Sequence, residues 1–413
     1  MNILLMSNSP GRGYGYSVVS DHISLALKKA GHNVYYFGMQ SIHPPYVDKD
    51  GIVNLGVRYD PWASDILGEY FRIYKIDYFL SIFDIWLGQT NYIGSMTKNA
   101  GVQWLAHVTA NSYPLSPFLA TPCSQTNIMI APSKFVYNTL QEVFSNSIPT
   151  FYIPHGVDLD IYKPLPDEEK KRTKERLRVG DKEFIVLSVM RNKGMQKDFP
   201  TLFEAWKLLL EKIPKLKEKG TLLCLTDMME PDGVRLDLLR NRMGLANNVR
   251  FVWAKPGKDG TLEATYEGNQ EGLPHTANLN FSPEEMARLY NIADCHVVSS
   301  NGESFNLPTL EAMACGIPVI AGNHTTGPEL VGESRAGMLA NIRATTTTPL
   351  ISDIFYVDQN NLMECMKKMY EDEKFREECS KNGLESAKKY SWETVAKRWV
   401  NFMNAIEYIR AVA

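Results

Sequence analysis

Two glutamates lie eight positions apart in an otherwise apolar part of the sequence. Glu303 and Glu311 belong to "SSNGESFNLPTLEAMACGIPVIAG" (299–322). Ionised carboxylates accept hydrogen bonds from hydroxyl groups, so such a pair can hold a hydroxyl-rich ligand at two points. The alternative interpretation is a helix-capping acid beside an unrelated loop acid at the rim of the fold.

A group of cations follows an earlier apolar run. Arg191, Lys193 and Lys197 lie in "RNKGMQKD" (191–198), and Asp198 has the residue type of a helix N-cap. A guanidinium fork and an ammonium point charge suit the oxygens of a diphosphate. A solvated loop without a ligand is the alternative.

A glycine-rich loop follows the first apolar run of the chain. In "SPGRGYGYS" (9–17), Gly11, Gly13 and Gly15 allow the backbone to approach a ligand closely. The spacing does not match the GxGxxG pattern of dinucleotide-binding proteins, so this loop is a weak signal in isolation. We expect it to form the opposing side of an interdomain cleft.

The elements that must position these groups alternate along the chain. In the first half, "NILLMS" (2–7) and "NVYYFG" (33–38) have the composition of buried strands, and residues 17–30 have a helical pattern that ends at Gly31. Strands that alternate with helices predict a parallel sheet covered on both faces. Further strands are predicted at 77–83, 102–107, 127–133 and 150–156.

The pattern restarts after a charged, proline-containing stretch at 155–183, which we interpret as a linker followed by a solvated helix. In the resulting βαβ units Glu303 and the cations all follow strands, so they lie at the edge where open α/β sheets bind ligands. The helix start near Asn306 presents free N–H groups to an anion, and Glu311 is predicted on its first turn. Strands are predicted at 184–191, 221–227, 249–254, 294–300 and 317–322, and helices at 199–213, 284–293 and 308–315.

Two further stretches complete the predicted organisation. Residues 255–285 are glycine-rich and weakly periodic, and we interpret them as a long insertion or lid that is mobile without ligand. The final helix, at 391–409, has apolar residues at helical spacing and is predicted to return to the first domain. The predicted domains are residues 1–163, completed by about 392–413, and residues 164–391.

Composition argues against several classes of protein. A chain of 413 residues predicts two domains, and 44% hydrophobic with 22% charged residues is typical of globular proteins. A net charge of −3 argues against a nucleic-acid partner, and the absence of a long apolar run leaves at most peripheral membrane contact. We predict no signal peptide. Six cysteines without CxxC pairing indicate reduced core residues of a cytoplasmic protein.

"ESFNLPTLEAMACGIPVIAG" resembles the signature of retaining glycosyltransferases of the family-four type, which have the GT-B fold. That signature is Glu, seven residues, Glu, a small-residue helix, Gly-x-Pro and a strand. The segments "SVMRNKGMQKDFPTLFEAW", "LYNIADCHVVSS", "IPHGVDLDIYKP" and "YSWETVAKRW" are similar to the family in the same order, mainly over the second half. The likeness implies two doubly wound Rossmann-like domains with an interdomain cleft, the nucleotide on the second domain and the acceptor on the first.

The resemblance also implies roles for individual residues. Glu303 would contact hydroxyls of the donor sugar, and Glu311 would hold the ribose hydroxyls of the nucleotide. Arg191 and Lys197 match the cations that neutralise the diphosphate, and Lys193 matches less well.

Backbone groups are implied as further donor contacts. The N–H groups of Phe305, Asn306 and Leu307 would reach the sugar and phosphates, and Gly13 and Gly15 are further donor contacts in this scheme. The family usually has a glycine where this chain has Asn306, a difference that bears on sugar choice.

A histidine near the reacting carbon is also typical of the family. His107 in "WLAHVTANS" is the candidate, although its flanking residues depart from the usual pattern. A buried histidine at a strand end is the alternative interpretation.

The implied activity is hexosyltransferase-type transfer from a UDP- or GDP-sugar to a glycan, lipid, protein or small-molecule acceptor, with retention of the anomeric configuration. No metal and no cofactor are expected. "DLD" (158–160) resembles a metal-binding acid pair, but it lies in the linker. A GT-B nucleotide-sugar 2-epimerase and a non-catalytic nucleotide-sugar-binding protein are the alternatives.

Overall fold

The computed structural model describes residues 1–11, 15–85, 90–257, 261–266 and 281–412. These residues form two compact units. Unit 1 comprises Met1–Gly156, Thr348–Ser352 and Tyr390–Ala413, and unit 2 comprises Val157–Thr347 and Asp353–Lys389.

The first boundary between the units lies at Gly156, before the predicted position after residue 163. The linker packs on unit 2, because Leu165 N donates to Asn291 Oδ1 at 2.8 Å. The amide of Asn291 in turn donates to the Lys163 carbonyl oxygen at 2.9 Å. These bonds attach the proline-containing stretch to the second unit.

Unit 1 is built on one mainly parallel sheet. Its strands are β1 (Asn2–Asn8), β2 (Asn33–Met39), β3 (Tyr46–Val47), β4 (Val53–Leu55), β5 (Tyr78–Ile82), β6 (Gln103–His107), β7 (Ile128–Ala131) and β8 (Thr150–Tyr152). The order is β3-β4-β2-β1-β5-β6-β7-β8, and the short β3 is antiparallel to β4. Its helices are α1 (Gly15–Lys29), α2 (Leu67–Ile73), α3 (Thr90–Ala100), α4 (Pro117–Cys123), α5 (Lys134–Phe144) and, from the end of the chain, α14 (Trp392–Val412).

The C-terminal helix α14 packs within unit 1. The Trp392 ring stacks on His22 of α1, with ring centroids 4.3 Å apart. It also lies so close to Gly156 that an added Cβ there would come within 2.5 Å of the ring. Glycine at the end of the unit's first segment therefore makes room for the last helix.

Unit 2 repeats the plan with a second parallel sheet. Its strands are β9 (Phe184–Val189), β10 (Gly220–Leu225), β11 (Val249–Pro256), β12 (Leu262–Tyr266), β13 (Cys295–Val298), β14 (Val319–Gly322) and β15 (Gly337–Ala340). The order is β12-β11-β10-β9-β13-β14-β15, with β12 antiparallel to β11. A separate antiparallel hairpin consists of β16 (Ile342–Thr347) and β17 (Asp353–Val357).

The helices of unit 2 cover this sheet, as the alternating pattern predicts. They are α6 (Asp167–Arg176), α7 (Phe199–Lys212), α8 (Leu216–Lys219), α9 (Leu236–Arg242), α10 (Pro283–Asn291), α11 (Leu307–Ala314), α12 (Gln359–Glu371) and α13 (Glu373–Lys388). A 3₁₀ turn spans Gly194–Lys197 and a π-helical turn spans Pro328–Gly332. None of the helices in the described ranges combines the length and apolar character needed to cross a membrane.

Each sheet has a switch point, where consecutive strands are added on opposite sides of a central strand. In unit 2 the central strand is β9, with β10 on one side and β13 on the other. In unit 1 it is β1, with β2 and β5 as neighbours. The loops at the carboxyl ends of these strands diverge there and leave room for a ligand.

The interpretation of 255–285 as a lid is wrong at both ends of that segment. Residues 262–266 form β12, and Ala264 N donates to the Glu285 carboxylate at 2.7 Å. Glu285 is 2% exposed and also binds Arg176 at 2.8 Å. A buried, paired carboxylate thus ties β12 to α10. Residues 258–260 and 267–280 of the predicted lid lie outside the described residues.

Candidate functional site

The carboxyl ends of β9 and β13 lie side by side in the second sheet, with Leu187 in register with His296. The loops after these strands carry Lys197 and Glu303, whose side chains form an ion pair. Both side chains are mostly buried, at 17% and 15% exposed. Sequence analysis places both charges at this edge, and the pairing of β9 with β13 across the switch point explains why they touch.

Arg191 lies at the same edge in a more open environment. Its Nη2 donates to Glu230 Oε1 at 2.6 Å, and its side chain is 62% exposed. Lys193 is also exposed. Of the three cations in this loop, Lys197 is therefore the one that is mostly buried. Arg191 must share or leave the Glu230 carboxylate in order to bind a ligand.

Two helix-capping residues at this edge have left-handed backbone conformations. Asp198, with φ 31°, accepts from Thr201 N and caps α7. Asn306, with φ 82°, accepts from Thr309 N at 2.9 Å and caps α11. Aspartate and asparagine tolerate this conformation better than most residues with a side chain. Asn306 thus takes a backbone conformation that glycine adopts readily, and it also caps the helix.

The residues beside Asn306 differ in burial. Phe305 is 2% exposed, whereas Leu307, the first residue of α11, is partly exposed. Pro308 has no N–H and Thr309 N donates to Asn306, but the Leu307 N–H has no acceptor within the helix and can bind an anion. The contacts of the Phe305, Asn306 and Leu307 N–H groups with a sugar or a phosphate stay predictions.

Glu311 lies on the second turn of α11, not on the first, because the helix begins at Leu307. The Tyr290 hydroxyl donates to its Oε2 at 2.8 Å. Burial raises the pKa of Glu311 from 4.5 to about 7, although hydrogen bonds from Tyr290 and Tyr162 lower it. The carboxylate already has donors, so a ribose would have to share or replace them.

Glu311→Gln is expected to stabilise the protein at pH 8 but not at pH 4.5. Because the pKa of Glu311 is higher in the folded state, proton binding favours folding below pH 4.5, and this stabilisation is lost as the pH rises through 7. Glutamine stays neutral and keeps an oxygen for Tyr290, so the gain at pH 8 is on the order of 1–3 kcal/mol. Urea unfolding at both pH values measures it, with exposed Glu218→Gln as control. An equal difference at both pH values would contradict the buried-carboxylate explanation.

A cavity lies between the loops that follow β13 and β14. It contains about 270 Å³ of empty space, part of it open to solvent. Its lining includes Ser300, Glu303, Asn306, Thr309, His324 and Thr325. Two residues singled out in the sequence, Glu303 and Asn306, thus share one cavity, whereas Glu311, Arg191 and Lys197 do not line it.

His107 is buried within unit 1. It is 1% exposed, its Nε2 lies 3.0 Å from His155 Nε2, and the two rings stack. The Trp399 ring is also stacked on it, with centroids 6.5 Å apart. Burial lowers the pKa of His107 to about 4, so the ring is neutral at pH 7. This environment favours the alternative of a core histidine, and the catalytic role stays a prediction.

A polar cluster at the carboxyl edge of the first sheet was missed in the sequence. The Tyr16 hydroxyl donates to Asp84 Oδ1 at 2.5 Å and lies 3.0 Å from Thr109 Oγ1. Burial and Asp84 raise the pKa of Tyr16 well above its usual range, so the phenol keeps its proton. Sequence position could have identified this cluster, because its three residues follow the strands β1, β5 and β6, whose carboxyl ends lie at one edge of the sheet.

The glycine loop is described only in part. Gly11 has φ 69°, and its N–H donates to Asp21 Oδ2 at 2.9 Å. Gly15 begins α1. Gly13 lies outside the described residues. The donor contacts predicted for Gly13 and Gly15 stay predictions.

The acid pair of the linker serves a local turn. Asp158 Oδ1 accepts from Asp160 N at 2.9 Å, and the Asp158 carbonyl oxygen accepts from Tyr162 N. Over the described ranges, no group of three or more histidine, cysteine or acidic side chains is arranged to hold a metal ion.

A family match covers part of this site. Residues 219–348 match the family described as "Glycosyl transferases group 1". The matched region contains Glu303 and Glu311 but begins after Arg191 and Lys197. This part of the chain is therefore similar to the group 1 glycosyltransferases.

Curated relatives are similar over part of their length. The chain is 34% identical over 124 residues to the O-antigen chain mannosyltransferase B of Escherichia coli, covering 30% of this chain and 28% of that protein. It is 25% identical over 250 residues to the D-inositol 3-phosphate glycosyltransferase of Corynebacterium jeikeium, covering 59% and 49%. The matched region thus spans less than half of either relative.

Solved structures are similar over the whole chain. Sucrose-phosphate synthase from Thermosynechococcus elongatus has a TM-score of 0.73 at 18% identity and covers 100% of both chains. Anabaena HepE, solved in complex with UDP-glucose, has a TM-score of 0.72 at 17% identity and covers 98% of this chain and 100% of its own. The predicted GT-B fold, with two doubly wound α/β halves, is confirmed.

Proposed function

We propose that the protein is a glycosyltransferase that moves a sugar from a nucleotide-diphosphate sugar to an acceptor with retention of the anomeric configuration. The observation that carries this proposal is the ion pair of Lys197 and Glu303 beside the start of α11. The pair lies at the switch point of a mainly parallel sheet, where α/β folds bind ligands. The family match and the UDP-glucose complex of HepE support a nucleotide-sugar donor.

The charges at this edge suit departure of a diphosphate. As the bond to the anomeric carbon breaks, negative charge collects on the leaving oxygens, and Lys197, Arg191 and the Leu307 N–H at the start of α11 stabilise it. In the proposed roles Glu303 accepts from sugar hydroxyls and Glu311 from the ribose. These cations take the place that a divalent metal has in other transferases, so the proposed reaction is metal-independent.

Retention follows from the family likeness. There the acceptor attacks from the face that the nucleotide leaves, and a diphosphate oxygen takes its proton. This route requires no protein nucleophile beneath the sugar. We propose that the acceptor binds unit 1 beside Tyr16, Asp84 and Thr109, whose hydroxyl and carboxylate groups suit a hydroxyl-bearing molecule.

Thermal unfolding with UDP-, GDP- and ADP-sugars tests the donor. A ligand at 100 times its dissociation constant adds about 2.7 kcal/mol to the free energy of unfolding. We expect one nucleotide class to raise the Tm, equally with and without EDTA. No shift with any of these sugars would contradict the proposal.

The products test the reaction itself. NMR of the new linkage is expected to show the donor's anomeric configuration, and an inverted anomer would contradict retention. Incubation with the donor alone distinguishes an epimerase, which converts the sugar without an acceptor. Loss of transfer in EDTA would contradict metal independence.

A further inference from the structure

We infer that Thr325 and His324 position Glu303 and, through His324 Nε2, contribute to recognition of the donor sugar. The inference rests on the proposed function, because that function assigns Glu303 to the sugar. Both residues lie in the loop after β14 and line the cavity that Glu303 also lines. They are polar lining residues of that cavity that lie outside the α11 loop.

Thr325 has a backbone conformation that threonine rarely adopts. Its φ is 46°, in the left-handed region, where a β-branched residue is an outlier. Glycine would adopt this conformation without strain. Strained residues persist where their surroundings hold them and are concentrated at functional sites. The need for a tight loop turn therefore does not explain why this position has a threonine and not a glycine.

The Thr325 hydroxyl joins two groups of the site. Its Oγ1 accepts from Glu303 N at 3.2 Å and lies 3.2 Å from His324 Nδ1. The Glu303 N–H can only donate, so the single proton of the hydroxyl is available to His324 Nδ1. With Nδ1 as acceptor, the neutral imidazole carries its own proton on Nε2. This tautomer is assigned from the hydrogen-bond pattern.

The His324 ring is held in place where the residue lines the cavity. The ring is 9% exposed and stacks on Phe355, with centroids 5.2 Å apart. Burial lowers the pKa of His324 to about 4, against smaller opposite effects of Glu303 and the Ser300 carbonyl, so the ring is neutral at pH 7. Nε2 lies against Gly322, where an added Cβ would come within 2.3 Å of it.

The Ser300 carbonyl acts on the His324 ring, but it does not satisfy Nε2 within the described ranges. Among the described residues, Nε2 has no hydrogen-bond partner of ordinary geometry. A buried N–H without an acceptor destabilises the folded protein. A ligand that supplies the acceptor offsets this cost. A sugar hydroxyl held by the Glu303 carboxylate donates its proton to that carboxylate and keeps lone pairs for a neighbouring N–H. Donor and acceptor roles thus match without a change of charge.

The arrangement anchors Glu303 at two points. Its side chain pairs with Lys197, and its backbone N–H binds the Thr325 hydroxyl. Loss of the hydroxyl therefore removes the hydrogen bond that anchors the Glu303 backbone. It also removes the donor to His324 Nδ1, so the ring proton is no longer fixed on Nε2. The diphosphate cations Arg191 and Lys197 are held by the loop after β9, so their contact with the nucleotide is expected to change less than that of Glu303 with the sugar.

The test compares binding of a nucleotide sugar with binding of its nucleoside diphosphate. The probes are UDP with UDP-glucose and GDP with GDP-mannose, whichever pair binds the wild type. Thr325→Ala is expected to weaken nucleotide-sugar binding by about twofold to tenfold and to leave nucleoside diphosphate affinity within about twofold. Thr325→Ser keeps the hydroxyl and is expected to bind like the wild type.

Two further variants separate positioning from folding. Thr325→Gly removes the strain and the hydroxyl together, so its Tm is expected to equal or exceed that of Thr325→Ala while its nucleotide-sugar affinity falls as much. Arg335→Gly is the matched control, since Arg335 is exposed and has φ 55° in the same unit. His324→Phe keeps a ring on Phe355 without an N–H and is expected to give the same sugar-specific loss.

Each outcome has a distinct meaning. Wild-type nucleotide-sugar affinity in Thr325→Ala and His324→Phe overturns the inference and leaves the proposed function intact. An equal loss for nucleotide sugar and nucleoside diphosphate also overturns it, because the role would then be structural. A wild-type protein that binds neither pair contradicts the proposed function, and the inference fails with it.

Discussion

Replacing Lys197 by alanine is expected to weaken nucleoside diphosphate binding by about tenfold to more than a hundredfold. A charge-assisted hydrogen bond to a phosphate oxygen is worth about 1.5–3 kcal/mol. The change also leaves the Glu303 carboxylate, which is 15% exposed, without its cation at the point where an anion must bind. Titration calorimetry with UDP and GDP measures the loss.

Two comparisons locate this effect at the site. Lys212→Ala removes a lysine from an exposed ion pair with Glu364 in the same unit and is expected to change binding little. Arg191→Ala is expected to have a smaller effect than Lys197→Ala, because its side chain is 62% exposed and already bound to Glu230. Wild-type affinity in Lys197→Ala would remove the diphosphate from this edge of the sheet.

Replacing Glu303 by glutamine is expected to lower turnover by about a hundredfold to a thousandfold without weakening nucleoside diphosphate binding. The sugar gains positive character as the anomeric bond breaks, so a carboxylate on its hydroxyls contributes more in the transition state than in the ground state. Removal of the charge also frees Lys197 from its ion pair. Steady-state kinetics and calorimetry together measure the split between turnover and affinity.

The double variant provides the sharper comparison. In Lys197→Ala/Glu303→Gln no unpaired carboxylate remains, so part of the binding lost in Lys197→Ala is expected to return. Glu364→Gln is the control for loss of a glutamate from a lysine ion pair away from the site. A Glu303→Gln protein with normal turnover would reduce the carboxylate to a loop residue with a structural role.

The central strands of both sheets were predictable because burial on both faces leaves continuous apolar runs. "FIVLSV" in β9 and "ILLM" in β1 are such runs. The antiparallel additions were not predictable in this way. β12 and the β16–β17 hairpin are partly exposed, and their sequences, such as "IRATTT", lack a clear apolar alternation.

The site was predictable in outline because strand ends define one edge of a parallel sheet. That rule places Glu303 near Lys197, but it does not predict their ion pair, which depends on the paths of two loops. Tyr290 was not predicted to bind Glu311, because the two lie on different helices. Nothing in the sequence identified Thr325 as a residue of the site, since the left-handed conformation of a threonine is fixed by its neighbours and not by its own preference.

The composition of unit 1 from three separated segments has a consequence for biosynthesis. A ribosome delivers residues 1–156 before unit 2, whereas Tyr390–Ala413 emerge only after it. Until then His22 lacks the Trp392 ring, and His107 lacks the Trp399 ring. Unit 2 has all its residues once Lys389 has been added. The half of the protein that is translated first is therefore completed only after the second half, and its nascent form must persist with that face uncovered while the second half folds.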